Sequence, residues 1–136
     1  MKTVIGPDEL ARIPLLAALS RRDRARLATV LRDRLVAAGD VATEEGDEGI
    51  GFFMIVAGAA TVEQEGQAVR TLGAGDWFGE IAVLGDGRRT ATVRALEDMH
   101  CVGLTPWQFR PFLAEHPEIA LTIAETMAER LAATSG

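Results

Sequence analysis

One cysteine, two histidines, few basic residues and no long apolar run set the first limits on this chain. Cys101 has no second cysteine to pair with, so an internal disulfide is excluded and the cytoplasm is a compatible compartment. His100 and His116 are too few for a three-ligand zinc set of the usual nitrogen and sulfur type. The longest apolar stretch, Ile50 to Ala60, falls far short of the roughly 20 residues that span a bilayer. Met1 to Ile5 meets Gly6-Pro7-Asp8-Glu9 before an apolar core forms, so no secretory leader is expected. Lysine plus arginine total 14 against 20 acids, a net charge of −6, which lacks the basic face that general nucleic-acid binding needs. A local pocket on an acidic protein can still be positive enough for one small anion. No Gly-x-Ser-x-Gly elbow accompanies the serines, and no other catalytic constellation is present.

What is present fits one domain spanning residues 1–136, since 48% hydrophobic and 25% charged residues suffice to build a core. Pro7-Asp8-Glu9 opens a short helix, with Pro early and acids in the first turn. Ser20 caps a second helix, predicted to run to about Arg34, on which Leu27, Val30 and Leu31 share a face. Its arginines are interleaved with Asp23 and Asp33 and lack aromatic neighbours, which reads as a solvated amphipathic face rather than a base-stacking surface.

From Leu35 to Leu104 the texture becomes short runs broken by Gly and Asp. Strands are predicted near 35–38, 41–44, 51–57, 60–64, 68–72, 76–78, 90–96 and 100–104, with Glu65-Gly66 as a hairpin turn. Thr105-Pro106-Trp107-Gln108 has the pattern of a capping box with Pro at the first helical position. A last helix after His116-Pro117 carries Ile119, Ile123, Met127 and Leu131 at every fourth place, a stripe that could pack on the strands or pair two chains. The expected fold is α+β: an eight-stranded antiparallel β jelly roll over about 35–104, flanked by helices over about 7–34 and 105–134.

The stretch Phe78-Gly79-Glu80-Ile81-Ala82-Val83-Leu84, followed by Gly85-Asp86-Gly87-Arg88-Arg89-Thr90-Ala91-Thr92-Val93, concentrates the chemistry. Backbone N–H groups opening a helical turn lack internal partners and carry partial positive charge, which suits a phosphate. Gly79 permits close backbone approach, and the Arg89 guanidinium adds a planar fork of donors matched to phosphate oxygens. The Glu80 carboxylate only accepts, so a neutral hydroxyl suits it better than a phosphate; a salt bridge with an arginine is its other reading. Anion donors beside a hydroxyl acceptor describe a ribose phosphate.

These residues resemble the phosphate-binding cassette of the cyclic-nucleotide-binding domain family, which includes catabolite-activator-type transcription factors, kinase regulatory subunits and cyclic-nucleotide-gated channels. Ala38-Gly39-Asp40, Glu45-Gly46-Asp47, Phe53 to Gly58 and Leu72 to Asp76 are similar as well, so the resemblance runs from about Leu10 to Arg130. It implies that Arg89 grips the cyclic phosphate, that Glu80 holds the ribose 2′-hydroxyl, and that the backbone amides of Gly79, Ile81 and Ala82 complete the cradle. Arg88 matches no such role. Thr90 resembles members that hold the base in the syn form and often favour cGMP, though channel members with this threonine also respond to cAMP. Both cAMP and cGMP therefore stand as ligands. In channel-type members an arginine of the last helix folds over the purine; Arg130 has the matching place, and a cation complementing the helix dipole is its structural alternative.

The resemblance implies a non-catalytic, cytoplasmic regulatory module with a cyclic nucleotide as ligand, no cofactor and no metal. Two related readings stand beside it: the sensory half of a catabolite-activator-type factor without its DNA-binding helix-turn-helix, and a sensor excised from an ion channel or transporter. Either adds an effector domain or protein as partner, and oligomeric state stays open. A jelly-roll metalloenzyme would need more histidines along its strands than this chain has.

Overall fold

Two four-stranded sheets and a layer of helices make up the computed structural model, which describes residues 5–43, 51–79 and 91–135. The chain begins with α1 (Pro7–Leu10), a 3-10 turn (Pro14–Leu16) and α2 (Arg21–Ala28). The strands follow as β1 (Arg32–Val36), β2 (Val41–Thr43), β3 (Phe52–Ala57), β4 (Ala60–Gln64), β5 (Gln67–Leu72), β6 (Trp77–Phe78), β7 (Thr92–Ala95) and β8 (Met99–Leu104). Two helices close it, α3 (Pro106–Glu115) and α4 (Pro117–Ser135). One sheet has the order β1-β8-β3-β6 and the other β2-β7-β4-β5, every described pair being antiparallel. This is the expected jelly roll with flanking helices.

Period-two alternation explains how the β1-β8-β3-β6 sheet can be buried on both faces. Along β3 and β8, Ile55, Met99 and Cys101 enter the space between the sheets, joined by Val36, Ala60, Val62, Leu72, Phe78, Val93 and Ala95. Phe52, Met54, Val102 and Leu104 point the other way, against Leu10, Leu16, Leu27, Phe109, Ile119 and Ile123 of the helical layer. Gly103 makes room within β8: a Cβ there would lie 2.5 Å from the Phe53 ring. Cys101 is fully buried, and that burial pushes its thiol pKa up to about 12 against the opposing pull of Arg34. Its neighbour His100 faces the other way, with Nε2 at 2.7 Å from the Asp33 carboxylate.

Three sequence expectations need correction. The second helix stops at Ala28 rather than near Arg34. Thr29 and Val30 are β-branched, and the Thr29 hydroxyl donates back to the Arg26 carbonyl at 2.6 Å. Arg32, Asp33 and Arg34 then pair with Gly103, Val102 and Cys101 on β8.

Not all the arginines of α2 are solvated. Arg24 is half-buried and donates through Nε to the Pro7 carbonyl at 3.0 Å and through Nη1 to the Leu19 carbonyl, tying α2 to the chain before it.

The stripe on the last helix does not reach Leu131, which is 67% exposed, whereas Ile119 and Ile123 are buried and Met127 partly so. At about 100° per residue, twelve residues from Ile119 end about 120° off its direction, but eleven end within about 20°. The side chain continuing the buried face is Arg130.

Glu65 and Gly66 form the expected hairpin turn, both with positive φ (53° and 80°), between the paired Gln64 and Gln67. Of the capping box, the half in which the Gln108 carboxamide accepts from the Thr105 N–H is made at 2.9 Å.

Candidate functional site

The described edge of the candidate site is built by a turn that delivers β6 onto β3. The Gly73 N–H donates to Asp76 Oδ2 at 2.8 Å, and the Asp76 N–H returns to the Gly73 carbonyl at 3.0 Å. The Gly75 N–H then bonds the Ile55 carbonyl and the Ile55 N–H bonds the Asp76 carbonyl, each at 2.8 Å. Trp77 and Phe78 follow, opposite Met54 and Phe53. Both are 5% exposed, on opposite faces: Phe78 belongs to the interior between the sheets and Trp77 to the helical layer.

Gly79 comes next with φ +96°, a conformation that costs glycine little and side-chain-bearing residues much. Glu80, Ile81, Ala82, Arg89 and Thr90 lie outside the described residues, as does Glu45-Gly46-Asp47. The chain is described again from Ala91, packed against the interior cluster, and continues into β7 between β2 and β4. Residues 79 and 91 thus anchor the candidate segment on two different sheets, one at an edge strand and one at a central strand.

Arg130 is the other described candidate. Its guanidinium carbon stands 4.8 Å from the centroid of the Trp77 ring, within cation–π range. Trp77 was not singled out by sequence reasoning. The signal available was its neighbour: in a two-residue strand, Trp77 and Phe78 must face opposite ways, so one aromatic had to meet the helices. A cavity of about 400 Å³ lies elsewhere, between α2 and α3, lined in part by Leu27, Val30, Trp107 and Phe112.

A family model for the cyclic nucleotide-binding domain matches residues 33–116, more than half of the chain and including the whole candidate segment. The chain belongs to the cyclic-nucleotide-binding domain family. This domain is 36% identical over 121 residues to a cyclic nucleotide-gated potassium channel of Rhizobium etli, covering 89% of the chain and 34% of the channel. It is also 36% identical over 130 residues to a cAMP-dependent protein kinase regulatory subunit of Eremothecium gossypii, covering 95% of the chain and 28% of the subunit. It therefore spans about a third or less of these relatives. Among solved structures, cAMP-bound PfPKA-R (141–441) superposes with a TM-score of 0.83 at 26% identity, over 95% of this chain and 46% of that one. The catabolite activator protein of Thermus thermophilus gives 0.79 at 25% identity, over 90% and 60%. Regulatory subunits, potassium channels and a catabolite activator protein are thus among the relatives, and no helix among the described residues is long and apolar enough to cross a membrane.

Proposed function

We propose that this domain is the sensory part of a signalling protein that binds cAMP or cGMP and performs no catalysis. The observation that carries the reading is the family match across residues 33–116, joined to the positive φ of Gly79 at the end of β6, where the cassette resemblance starts. In this reading the backbone amides of Gly79, Ile81 and Ala82 and the guanidinium of Arg89 hold the cyclic phosphate. Glu80 accepts from the ribose 2′-hydroxyl, and Thr90 contacts the base. Arg130 acts from α4, the helix that would serve as lid.

Support for cAMP comes from two structural relatives, one bound to cAMP and one, a PKAR CBD2 structure with a TM-score of 0.82, bound to Sp-2Cl-cAMPS. Support for cGMP comes from the hydroxyl of Thr90. A nucleotide shifts such a module only as far as it binds one arrangement of α4 better than another. The effector, whether kinase subunit, channel or DNA-binding domain, would be joined to or contacted by this domain in the cytoplasm.

The decisive experiment is calorimetric titration of the domain with cAMP and with cGMP, repeated on Arg89→Ala. Loss of charged hydrogen bonds, at about 1.5–3 kcal/mol each, should weaken binding about tenfold or more while the thermal transition stays in place. Unchanged affinity in that variant would reject Arg89 as the phosphate ligand.

A further inference from the structure

The Trp77 ring belongs to a row of ring contacts that crosses four elements. The Arg130 guanidinium of α4 stands 4.8 Å from its centroid, the Phe52 ring of β3 lies 5.9 Å away, and Phe52 stacks in turn on Phe109 of α3 at 4.2 Å and 11°. Trp77 also sits in the β6 backbone, two residues before Gly79. That strand is two residues long and, among the described residues, pairs with β3 alone, so its side chains, more than its ladder, fix where it lies.

Along α4 the contact with the roll runs through Ile119, Ile123 and partly buried Met127, and Arg130 comes three residues later on the same face. Ala124, Glu125, Ala128 and Glu129 are exposed, so the distal half of α4 shows solvent on its other side. The Arg130–Trp77 contact lies beyond Met127 on that buried face, and it lands on the strand that leads into the cassette.

We propose that Trp77 is a positioning residue for nucleotide binding. Its indole seats Arg130 and so clasps the distal half of α4 beside the end of β6 from which the cassette departs. The distal half of α4 and the placement of Gly79 then share one aromatic ring. The binding half of this inference rests on the proposed function; the clasp itself rests only on the contacts described.

Three variants test it: Arg130→Met, which keeps the apolar stem and removes the charge; Trp77→Leu; and the double variant. Arg130→Met leaves the core untouched, so the test survives if Trp77→Leu fails to fold. The first readout is amide hydrogen exchange without nucleotide. Cation–π contacts of about 0.5–2 kcal/mol correspond to roughly two- to thirtyfold in an opening equilibrium, so amides of residues 124–131 should exchange faster by a factor in that range in Arg130→Met. Amides of α3 should be unchanged.

The second readout is titration with cAMP and cGMP. Affinity should fall in each single variant, and the double variant should be no weaker than Trp77→Leu alone. Unchanged exchange in α4 overturns the clasp. An Arg130→Met loss of equal size with and without Trp77 overturns the positioning role, because Arg130 would then act on the nucleotide independently. Complete absence of binding by the unmodified domain overturns the functional reading and Trp77's part in it, while the exchange rates still decide the clasp.

Discussion

The two sheets differ in what lies behind them. In the β1-β8-β3-β6 sheet, β3 and β8 are Phe52–Ala57 and Met99–Leu104, nearly continuous apolar runs with neighbours on both faces. In the β2-β7-β4-β5 sheet, Ala60 and Val62 of β4 and Val93 and Ala95 of β7 are buried, whereas Thr61, Glu63, Thr92 and Arg94 between them are not. Covering a sheet twice removes the need for polar residues along its strands, and covering it once imposes alternation. The proposed cassette leaves the first sheet and returns to the second. Its starting end is therefore held by aromatic packing on both sides of β6, and its returning end by a strand with one packed face.

The sharpest way to break this contrast is to remove a ring from the helix-covered face. Phe109 is 0% exposed and stacked on Phe52, so Phe109→Ala should cost about 3–5 kcal/mol in urea denaturation. Val69 of β5, 47% exposed, is the counterpart on the other sheet, and Val69→Ala should change stability by no more than about 0.5 kcal/mol. Comparable losses in the two variants would show that the helical layer adds nothing the open sheet lacks.

A smaller effect probes the space between the sheets. Cys101 is buried there, with its thiol pKa raised to about 12 from an ordinary value of 9.0. A raised folded-state value means that above pH 9 the unfolded chain loses this proton while the folded chain keeps it, so stability declines as pH rises toward 12. The contribution is intact below pH 9. By pH 10 the loss should be on the order of 1 kcal/mol. With no tyrosine and Lys2 as the single lysine, few other groups titrate in that window. Denaturation from pH 7 to 10 should show this decline in the natural chain and a flatter profile in Cys101→Ala. Equal slopes would mean that the thiol ionises in the folded protein, and that the interior is less dry than its apolar lining implies.

The sequence showed most where one physical signal dominated. Eight strands could be placed because Gly and Asp punctuate short apolar runs, and the Glu65-Gly66 hairpin because a glycine interrupts two β-prone runs there. The end of α2 was missed because apolar Leu27, Val30 and Leu31 keep a helical spacing past Ala28. Pairing of Arg32–Arg34 with β8, and the side-chain contact of Asp33 with His100, are long-range terms that local periodicity does not carry. The four-residue repeat ending at Leu131 does not fix which face packs, because three full turns are nearer eleven residues than twelve. In the candidate site, the positive φ of Gly79 agrees with a glycine at the start of the cassette, while the close backbone approach expected there belongs to the proposed function. Trp77 was not legible, because its importance lies in which helix residue reaches it across the fold. The roles of Glu80, Arg89 and Thr90 came from the family pattern rather than from spacing alone.

The smallest effect belongs to the solvent face of the second sheet. Arg94 of β7 reaches Glu63 of β4, with Nε at 3.3 Å from Oε2, and also donates through Nη1 to the Gly39 carbonyl at 3.1 Å. In the ladder Arg94 stands opposite Thr61, so its contact with Glu63 is diagonal. The side chains are 43% and 24% exposed, which leaves the pair open to screening by water and salt. A double-mutant cycle with Arg94→Met and Glu63→Gln should therefore give a coupling of about 0.2–1 kcal/mol, falling at 1 M salt. Arg94→Met alone should cost somewhat more than that coupling, because it also strips a donor from the Gly39 carbonyl. A salt-insensitive coupling well above this range would mean that something covers this face in solution, and the contrast between a sheet packed on both faces and one packed on a single face would no longer hold.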